Sequence, residues 1–206
     1  MMAAPPAFSS RDPLSPQFWD ERFERAFTPW ERGGVSMALR RFVADTRRPL
    51  VALAPGCGTA HELALMCEAG WDATAIDFSL EAVARARALA GPWADRIVQA
   101  DFFTYAPARP LDLVYEQAFL CAMPRERWDA VARRWEALLA PGGLLAGYFY
   151  FDDAAKGPPF GISRARLDEL LHNGFECIAD EAVEDSIPVF AAKERWMVWR
   201  KRQRMP

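Results

Sequence analysis

The chain has 206 residues, of which 51% are hydrophobic and 26% are charged, and its formal net charge at pH 7 is −3. This length and balance suit one folded domain and exclude a largely disordered chain. A net charge so close to zero provides no basic surface for nucleic acid or for an anionic membrane. No apolar run is long enough to span a bilayer. We therefore expect neither nucleic acid nor a membrane as a partner.

The first residues and the cysteines bear on where the protein works. Residues 1–14 are rich in Pro and Ala and lack the basic and apolar regions of a secretory signal, which predicts a disordered leader. The four cysteines are scattered and form no CxxC pair, so zinc is disfavoured and we expect no metal. Without an export signal, we interpret them as reduced thiols of a cytoplasmic protein.

An aromatic helix opens the predicted fold. Pro16 stands at its first position, Ser15 is placed to cap it, and aromatic side chains follow at i+4 spacing. A Thr-Pro-Trp segment then breaks the helix, and a second helix is predicted over 35–45. We expect a helical lid over 15–48, within a single domain over 15–206.

Strands and helices alternate along the rest of the chain, which predicts an α/β fold. Strands separated by single helices give a Rossmann-like, doubly wound and mostly parallel sheet with helices on both faces. The last two of seven strands have no helix between them, so they should pair antiparallel at one edge. The strands are predicted at 50–54, 71–77, 96–100, 111–115, 143–151, 175–183 and 194–199, and the helices at 61–69, from the Ser79 cap to Ala90, from Trp128 to Pro141-Gly142, and after the Ser163 cap.

The turn after the first strand is the first candidate ligand site. Gly56 and Gly58 let a ligand approach the backbone, and the following helix N-terminus can hold an anion. A dinucleotide fingerprint needs a small residue where His61 stands, and no Gly-Lys-Ser/Thr follows. NAD is therefore disfavoured, a P-loop is excluded, and a single carboxylate is the alternative anion.

Acidic residues end the next two strands, at the sheet edge where open α/β sheets bind ligands. Asp77 is placed to accept both hydroxyls of a ribose, because Ser79 can cap the next helix in its stead. Asp101 precedes Phe102 and Phe103, which suits adenine: the carboxylate accepts from the exocyclic amine and a ring covers one face. Core packing is the alternative role of the two phenylalanines.

These motifs resemble class I S-adenosylmethionine-dependent methyltransferases, and more narrowly the thiopurine S-methyltransferase family with its thiol and halide methyltransferase relatives. The resemblance covers nearly the whole chain after the leader, and its most specific part is the Thr-Pro-Trp element. The matching segments are Phe18-Trp19, Thr28-Pro29-Trp30, Pro55-Gly56-Cys57-Gly58, Asp77-Phe78-Ser79, Asp101-Phe102-Phe103, Leu139-Ala140-Pro141-Gly142-Gly143, Gly157-Pro158-Pro159-Phe160, Glu194-Arg195 and Trp199-Arg200.

The resemblance implies S-adenosylmethionine as cofactor and S-adenosylhomocysteine as product. It implies that the methionine end lies near the glycine turn, that the ribose lies on Asp77, and that Trp19 and Trp30 fold over the cofactor. Glu31, Glu62 and Glu116 stand where the family usually has Asp, and Ala60 where a third glycine is common. The predicted cofactor-binding residues are Trp19, Trp30, Pro55, Gly56, Gly58, Asp77, Phe78, Ser79, Asp101, Phe102, Phe103, Glu116 and Gln117.

Methyl transfer from a sulfonium is an in-line displacement, in which the protein mainly aims the nucleophile at the methyl group. A thiolate needs no general base near neutral pH, and neither His61 nor His172 belongs to a nucleophile–base pattern, so no catalytic base is predicted. We predict transfer to a small soft nucleophile such as a thiol or thiopurine-like heterocycle, by a monomer or weak dimer. Small-molecule O- or N-methylation and non-catalytic cofactor binding are the alternatives. The acceptor pocket is predicted to be lined by Trp30, Phe119, Tyr148 or Tyr150, and Phe160.

Overall fold

A computed structural model describes residues 7–203 of the protein. Its strands are β1 (Val51–Pro55), β2 (Asp72–Asp77), β3 (Ile97–Gln99), β4 (Leu111–Gln117), β5 (Leu139–Tyr150), β6 (Phe175–Ala182) and β7 (Glu194–Lys201). Its α-helices are α1 (Pro16–Glu24), α2 (Met37–Asp45), α3 (His61–Glu68), α4 (Leu80–Leu89), α5 (Trp128–Leu138) and α6 (Arg164–Leu171), and short 3-10 helices cover Gly91–Arg96, Leu120–Ala122 and Arg125–Arg127.

The seven strands form one sheet in the order β3-β2-β1-β4-β5-β7-β6. Strands β1 to β5 pair in parallel, and β7 runs antiparallel to both β5 and β6. The predicted fold and the antiparallel pair are confirmed. The pattern did not reveal that β7 lies between β5 and β6. Burial explains this order, since β7 is apolar on both faces whereas the more polar β6 tolerates the edge.

Helices cover both faces of the sheet and bury two apolar layers. Helices α2, α3 and α4 pack on one face, and α5 and α6 pack on the other. Residues of β5 alternate between the layers, with Tyr148 in the first and Phe149 in the second. This packing fixes the carboxyl ends of the parallel strands, which carry the predicted site.

Helix α5 ends earlier than the pattern predicted. It stops at Leu138, and β5 begins at Leu139, so that the predicted stop at Pro141-Gly142 lies within the strand. A residue that precedes proline is disfavoured in the helical conformation, which keeps the helix from reaching Pro141. The ammonium of Lys201 donates to the carbonyls of Glu136 and Leu139 and stabilises the helix end.

The N-terminal region also differs from the prediction in detail. Residues 7–14 contact α1 and the turn after it: the ring of Phe8 lies tilted against that of Phe27 with centroids 5.5 Å apart, and the amide of Ser9 donates to Glu21. The predicted leader residues 1–6 lie outside the described residues, as does 204–206. Ser15 precedes α1, but its side chain makes no capping hydrogen bond. Among residues 7–203, none of the helices has the length and apolar character needed to span a bilayer.

Candidate functional site

A cavity of about 670 Å³ lies beyond the carboxyl ends of the parallel strands. Its wall comes from the lid, from the loops after β1, β2, β3 and β4, and from two later loops that precede α6 and β7. Ten of the residues predicted for the cofactor line it: Trp19, Trp30, Gly56, Gly58, Asp77, Phe78, Asp101, Phe102, Phe103 and Gln117.

The glycine turn forms one wall because its backbone takes left-handed conformations. Gly56 has a φ of +58° and Gly58 a φ of +51°, values that side chains disfavour. A Cβ on Gly56 would stand 2.6 Å from the ring of Phe119, and one on Gly58 would collide with the carboxylate of Glu31. Ala60 keeps the same conformation with a φ of +53°, which explains why a third glycine is common there.

Asp77 is buried at the end of β2 and already holds two backbone groups. Its carboxylate accepts from the amides of Ser79 at 2.9 Å and of Gly58 at 3.1 Å, and burial raises its pKa to about 6. Ser79 caps α4 as predicted, because its side chain accepts from the amide of Ala82. The expectation that this leaves the Asp77 carboxylate without backbone partners is wrong, since Asp77 accepts from two amides. Each carboxylate oxygen can accept a further hydrogen bond, which keeps the carboxylate available to two hydroxyls.

The predicted adenine side carries aromatic rings that pack edge-to-face. Phe102 is buried and packs edge-on against Phe103 and Phe119, with centroids 5.4 and 4.8 Å apart. Asp101 is exposed and accepts from the amide of Phe103 at 2.8 Å. The guanidinium of Arg127 lies over the ring of Phe103, 4.5 Å from its centroid. Phe102 therefore has both of the roles considered for it: it is buried in the core and it also lines the cavity.

The part of the predicted lid that precedes α2 places two tryptophans over the cavity, whereas α2 packs on the sheet; "lid" refers to this first part from here on. Trp19 and Trp30 meet edge-to-face with centroids 5.3 Å apart. Asp20 holds the lid down: it accepts from the hydroxyl of Ser79 at 2.6 Å and from the amide of Glu81 at 3.3 Å, at the start of α4. This contact was missed, because nothing local in the sequence marks Asp20 as the partner of a residue 59 positions away.

Three carboxylates surround the glycine turn. Glu31 reaches from the lid and accepts from the amide and the hydroxyl of Thr59. Burial raises the pKa of Glu31, and it raises that of Glu62 to about 7. Burial and then the charges of Asp77, Glu62 and Glu31 raise the pKa of the Cys57 thiol well above its usual value. This negative potential suits a cationic group bound at the turn.

The other end of the cavity is mostly apolar. Trp30, Phe119, Met123 and Phe190 line it together with Cys121, whose thiol pKa is raised by burial. Trp30 packs against a buried cluster of Cys121, Tyr150 and Phe190. Phe190 was missed because its segment between β6 and β7 has no motif. We call this region the acceptor end.

Six predicted residues do not line the cavity, and their contacts are with other parts of the protein. Glu116 points inward, accepts from the amides of Phe119 and Leu120 at 3.2 Å, and has a pKa raised by burial to about 8. Tyr148 packs on Trp196 in the core, and Tyr150 packs behind Phe190 and donates to Asp152. The remaining three are Pro55 at the end of β1, Ser79 at the cap of α4, and Phe160, which lies against Arg125.

Sequence comparison decides the family. Residues 14–204 match the family model described as thiopurine S-methyltransferase. The chain is 31% identical over 190 residues to thiocyanate methyltransferase 1 of Arabidopsis thaliana, covering 89% of this chain and 84% of that protein. It is 29% identical over 176 residues to thiopurine S-methyltransferase of Vibrio cholerae, covering 76% and 80%. The chain belongs to the thiopurine S-methyltransferase family.

Solved structures share the fold of this family member at low sequence identity. The 1,6-didemethyltoxoflavin-N1-methyltransferase of Burkholderia thailandensis superposes with a TM-score of 0.74 at 19% identity, covering 98% of this chain and 94% of that one. The magnesium protoporphyrin IX methyltransferase of Synechocystis gives a TM-score of 0.70 at 16% identity, covering 93% and 100%. These two proteins were crystallised with S-adenosylhomocysteine bound.

Family membership makes the chain an S-adenosylmethionine-dependent methyltransferase. The cavity fits that cofactor. The turn at Gly56 and Gly58 lines the cavity with backbone, and three carboxylates lie close to it. Asp77 and Asp101 follow along the same edge at the ends of the next two strands, where a nucleoside needs hydrogen-bond acceptors.

Proposed function

We propose that this family member transfers the methyl group of S-adenosylmethionine to a small soft nucleophile, a thiolate or a thiocyanate-like anion. The composition of the acceptor end carries the proposal: aromatic rings and sulfur atoms line it, contributed by Trp30, Phe119, Cys121, Met123 and Phe190. Such a wall favours a polarisable sulfur over a strongly hydrated oxygen or nitrogen nucleophile. The Arabidopsis and Vibrio relatives are a thiocyanate methyltransferase and a thiopurine S-methyltransferase, which supports the same class of acceptor.

At the cofactor end, the residues divide the binding task. Asp77 would accept from the ribose hydroxyls, and Asp101 with Phe103 would hold the adenine. Glu31 and the glycine turn would receive the ammonium and carboxylate of the amino-acid end. When bound, the cofactor supplies a methyl group activated by a sulfonium.

At the acceptor end, the wall residues orient the nucleophile and exclude water. Aligning two reactants within a closed site can contribute several kcal/mol to the rate. The reaction of an anion with a sulfonium removes charge from the site, so an apolar environment favours the products of the step over the separated ions. A thiolate brings its own charge and needs no proton transfer from Trp30, Phe119 or Phe190.

An acceptor panel tests this function. The purified protein is incubated with S-adenosylmethionine and one of thiocyanate, hydrosulfide, an aryl thiol, a thiopurine, a phenol or an aryl amine, and S-adenosylhomocysteine is measured by mass spectrometry. We expect turnover with the sulfur nucleophiles, and a rate that rises with pH as the thiol ionises. Turnover with the phenol or amine alone would indicate O- or N-methylation. Cofactor binding without turnover on any acceptor would indicate a non-catalytic binding protein.

A further inference from the structure

A buried arginine joins the lid to the loop that carries Phe190. Arg32 follows Trp30 by two positions, and its Nη1 donates to the carbonyl of Asp185 and lies 3.1 Å from the carboxylate of that residue. Its Nη2 lies 3.7 Å from Glu194, at the start of β7. The two acids thus bracket segment 185–194, whose middle forms part of the cavity wall.

The surroundings of Arg32 argue for a role other than stability. Only 14% of its side chain is exposed, and its Nε and Nη2 are closed to water without a hydrogen-bond partner. Glu194 is still more buried, with 2% of its side chain exposed. Buried charge pairs are weak sources of stability, and their best-attested use is to fix one arrangement among several. Polar atoms left without partners in a native interior call for such an explanation.

The acids are themselves held in place. The carboxylate of Asp185 accepts from the amide of Met37 at 2.9 Å, at the start of α2, and Glu194 accepts from the hydroxyl of Ser186 at 2.7 Å. The contact therefore joins the lid and the start of α2 to the segment between β6 and β7. We call Arg32, Asp185 and Glu194 the latch.

The latch joins the two segments that carry cavity rings, and Arg32 itself also lines the cavity. Trp30 lies on the lid side and Phe190 on the loop side, and both belong to the apolar packing around Cys121. Movement of the loop relative to the lid would change the space between these rings. We propose that Arg32 is a positioning residue, and that through the latch it sets the width of the acceptor end and so the size of acceptor that the enzyme takes. This inference rests on the proposed function.

The first arm of the test compares two acceptors of different size. We expect Arg32→Gln to lower kcat/KM for a small acceptor such as hydrosulfide about tenfold, mainly through KM, and to change that for a bulky aryl thiol less than about twofold. Arg32→Lys should restore part of the preference for small acceptors. Arg41→Gln is the matched control, because Arg41 also pairs with an acid, Glu181 on β6, but at an exposed position away from the cavity.

The second arm needs no turnover. Amide hydrogen exchange of the full chain should show segment 183–193 exchanging about tenfold faster in Arg32→Gln than in the wild type or in Arg41→Gln. If Arg32→Gln does not fold, Asp185→Asn replaces it in both arms, because it weakens the same contact without leaving an added buried charge unpaired.

The two arms separate the inference from the function on which it rests. An unchanged size preference together with unchanged exchange in the folded variant would overturn the latch while leaving methyl transfer intact. If the wild type methylates no sulfur nucleophile, the proposed function fails, and the exchange arm alone then decides whether the latch holds the loop.

Discussion

The two ends of the cavity are built from different kinds of structure. The cofactor end stands on the carboxyl ends of β1, β2 and β3, where Gly58 and Asp77 are joined by a hydrogen bond between neighbouring loops. The acceptor end is assembled from the lid, the loop after β4, the segment before α6 and the segment before β7. Packed strands hold the first, and side-chain contacts such as those of Arg32 hold the second. Cofactor affinity and acceptor choice should therefore respond to different substitutions.

The largest effect is expected at the cofactor end, from Asp77→Ala. Loss of the carboxylate removes the acceptors for the ribose hydroxyls and leaves the amides of Gly58 and Ser79 without a partner. We expect the Kd for S-adenosylmethionine to rise about 100-fold, which corresponds to about 2.8 kcal/mol. Isothermal titration calorimetry measures it, with circular dichroism to confirm folding. An unchanged Kd would refute the assignment of this carboxylate to the cofactor.

Gly58→Ala should have the next largest effect. The added methyl group would collide with Glu31 and separate the lid from the turn, and the residue would keep a left-handed φ of +51°. We expect the Kd for S-adenosylmethionine to rise about tenfold or more.

The control for this substitution is Gly33→Ala. Gly33 also has a left-handed φ, +71°, but nothing lies within 4 Å of its would-be Cβ. The control should lose about 1 kcal/mol of stability and keep its affinity. Equal loss of affinity in both variants would attribute the effect to backbone strain rather than to the contact with Glu31.

Phe190→Ala addresses the acceptor end alone. Removing a buried ring from the wall opens the space beside Trp30 and loosens the hold on a small nucleophile. We expect kcat/KM for a small thiol to fall about tenfold, with the Kd for S-adenosylmethionine changing less than about twofold. Steady-state kinetics and calorimetry on the same preparation measure the two quantities. A parallel loss of cofactor affinity would show that the two ends are not independent.

The cofactor end could be predicted from the sequence better than the acceptor end, because the two ends are built differently. Short motifs carry the cofactor end, because the strand ends place neighbouring loops side by side, and Asp77 could be assigned a position from the order of strands. The acceptor end depends on pairing between distant segments. Tyr148 was predicted there because it lies near the end of β5, but β7 packs beside that strand and Trp196 covers the ring. Phe190 carries no local signal.

A separate effect, on stability rather than on binding, concerns Glu116, which is buried at the end of β4. Its pKa of about 8 means that the folded protein holds a proton that the unfolded chain loses near pH 4.5. The stability this gives is complete below about pH 4.5 and is lost as pH rises to about 8, with a slope of at most about 1.4 kcal/mol per pH unit.

Glu116→Gln tests that dependence. The amide oxygen can still accept from Phe119 and Leu120, but the side chain no longer titrates. We expect the Tm of the wild type to fall more steeply between pH 6 and pH 8 than that of the variant, as measured by thermal unfolding. Identical slopes would place the proton elsewhere, for example on Glu62, whose pKa is about 7.

The place of β7 in the sheet has a consequence for synthesis of the protein. Strand β6 is made first, yet among the strands of residues 7–203 it pairs with β7 alone, and β7 must also join β5. During synthesis on the ribosome, β6 therefore cannot pair with β7 until the chain has emerged to about residue 201. The segment that carries Phe190 lies between these two strands, so this part of the acceptor end cannot be fixed in place before β7 has paired with both of its neighbours.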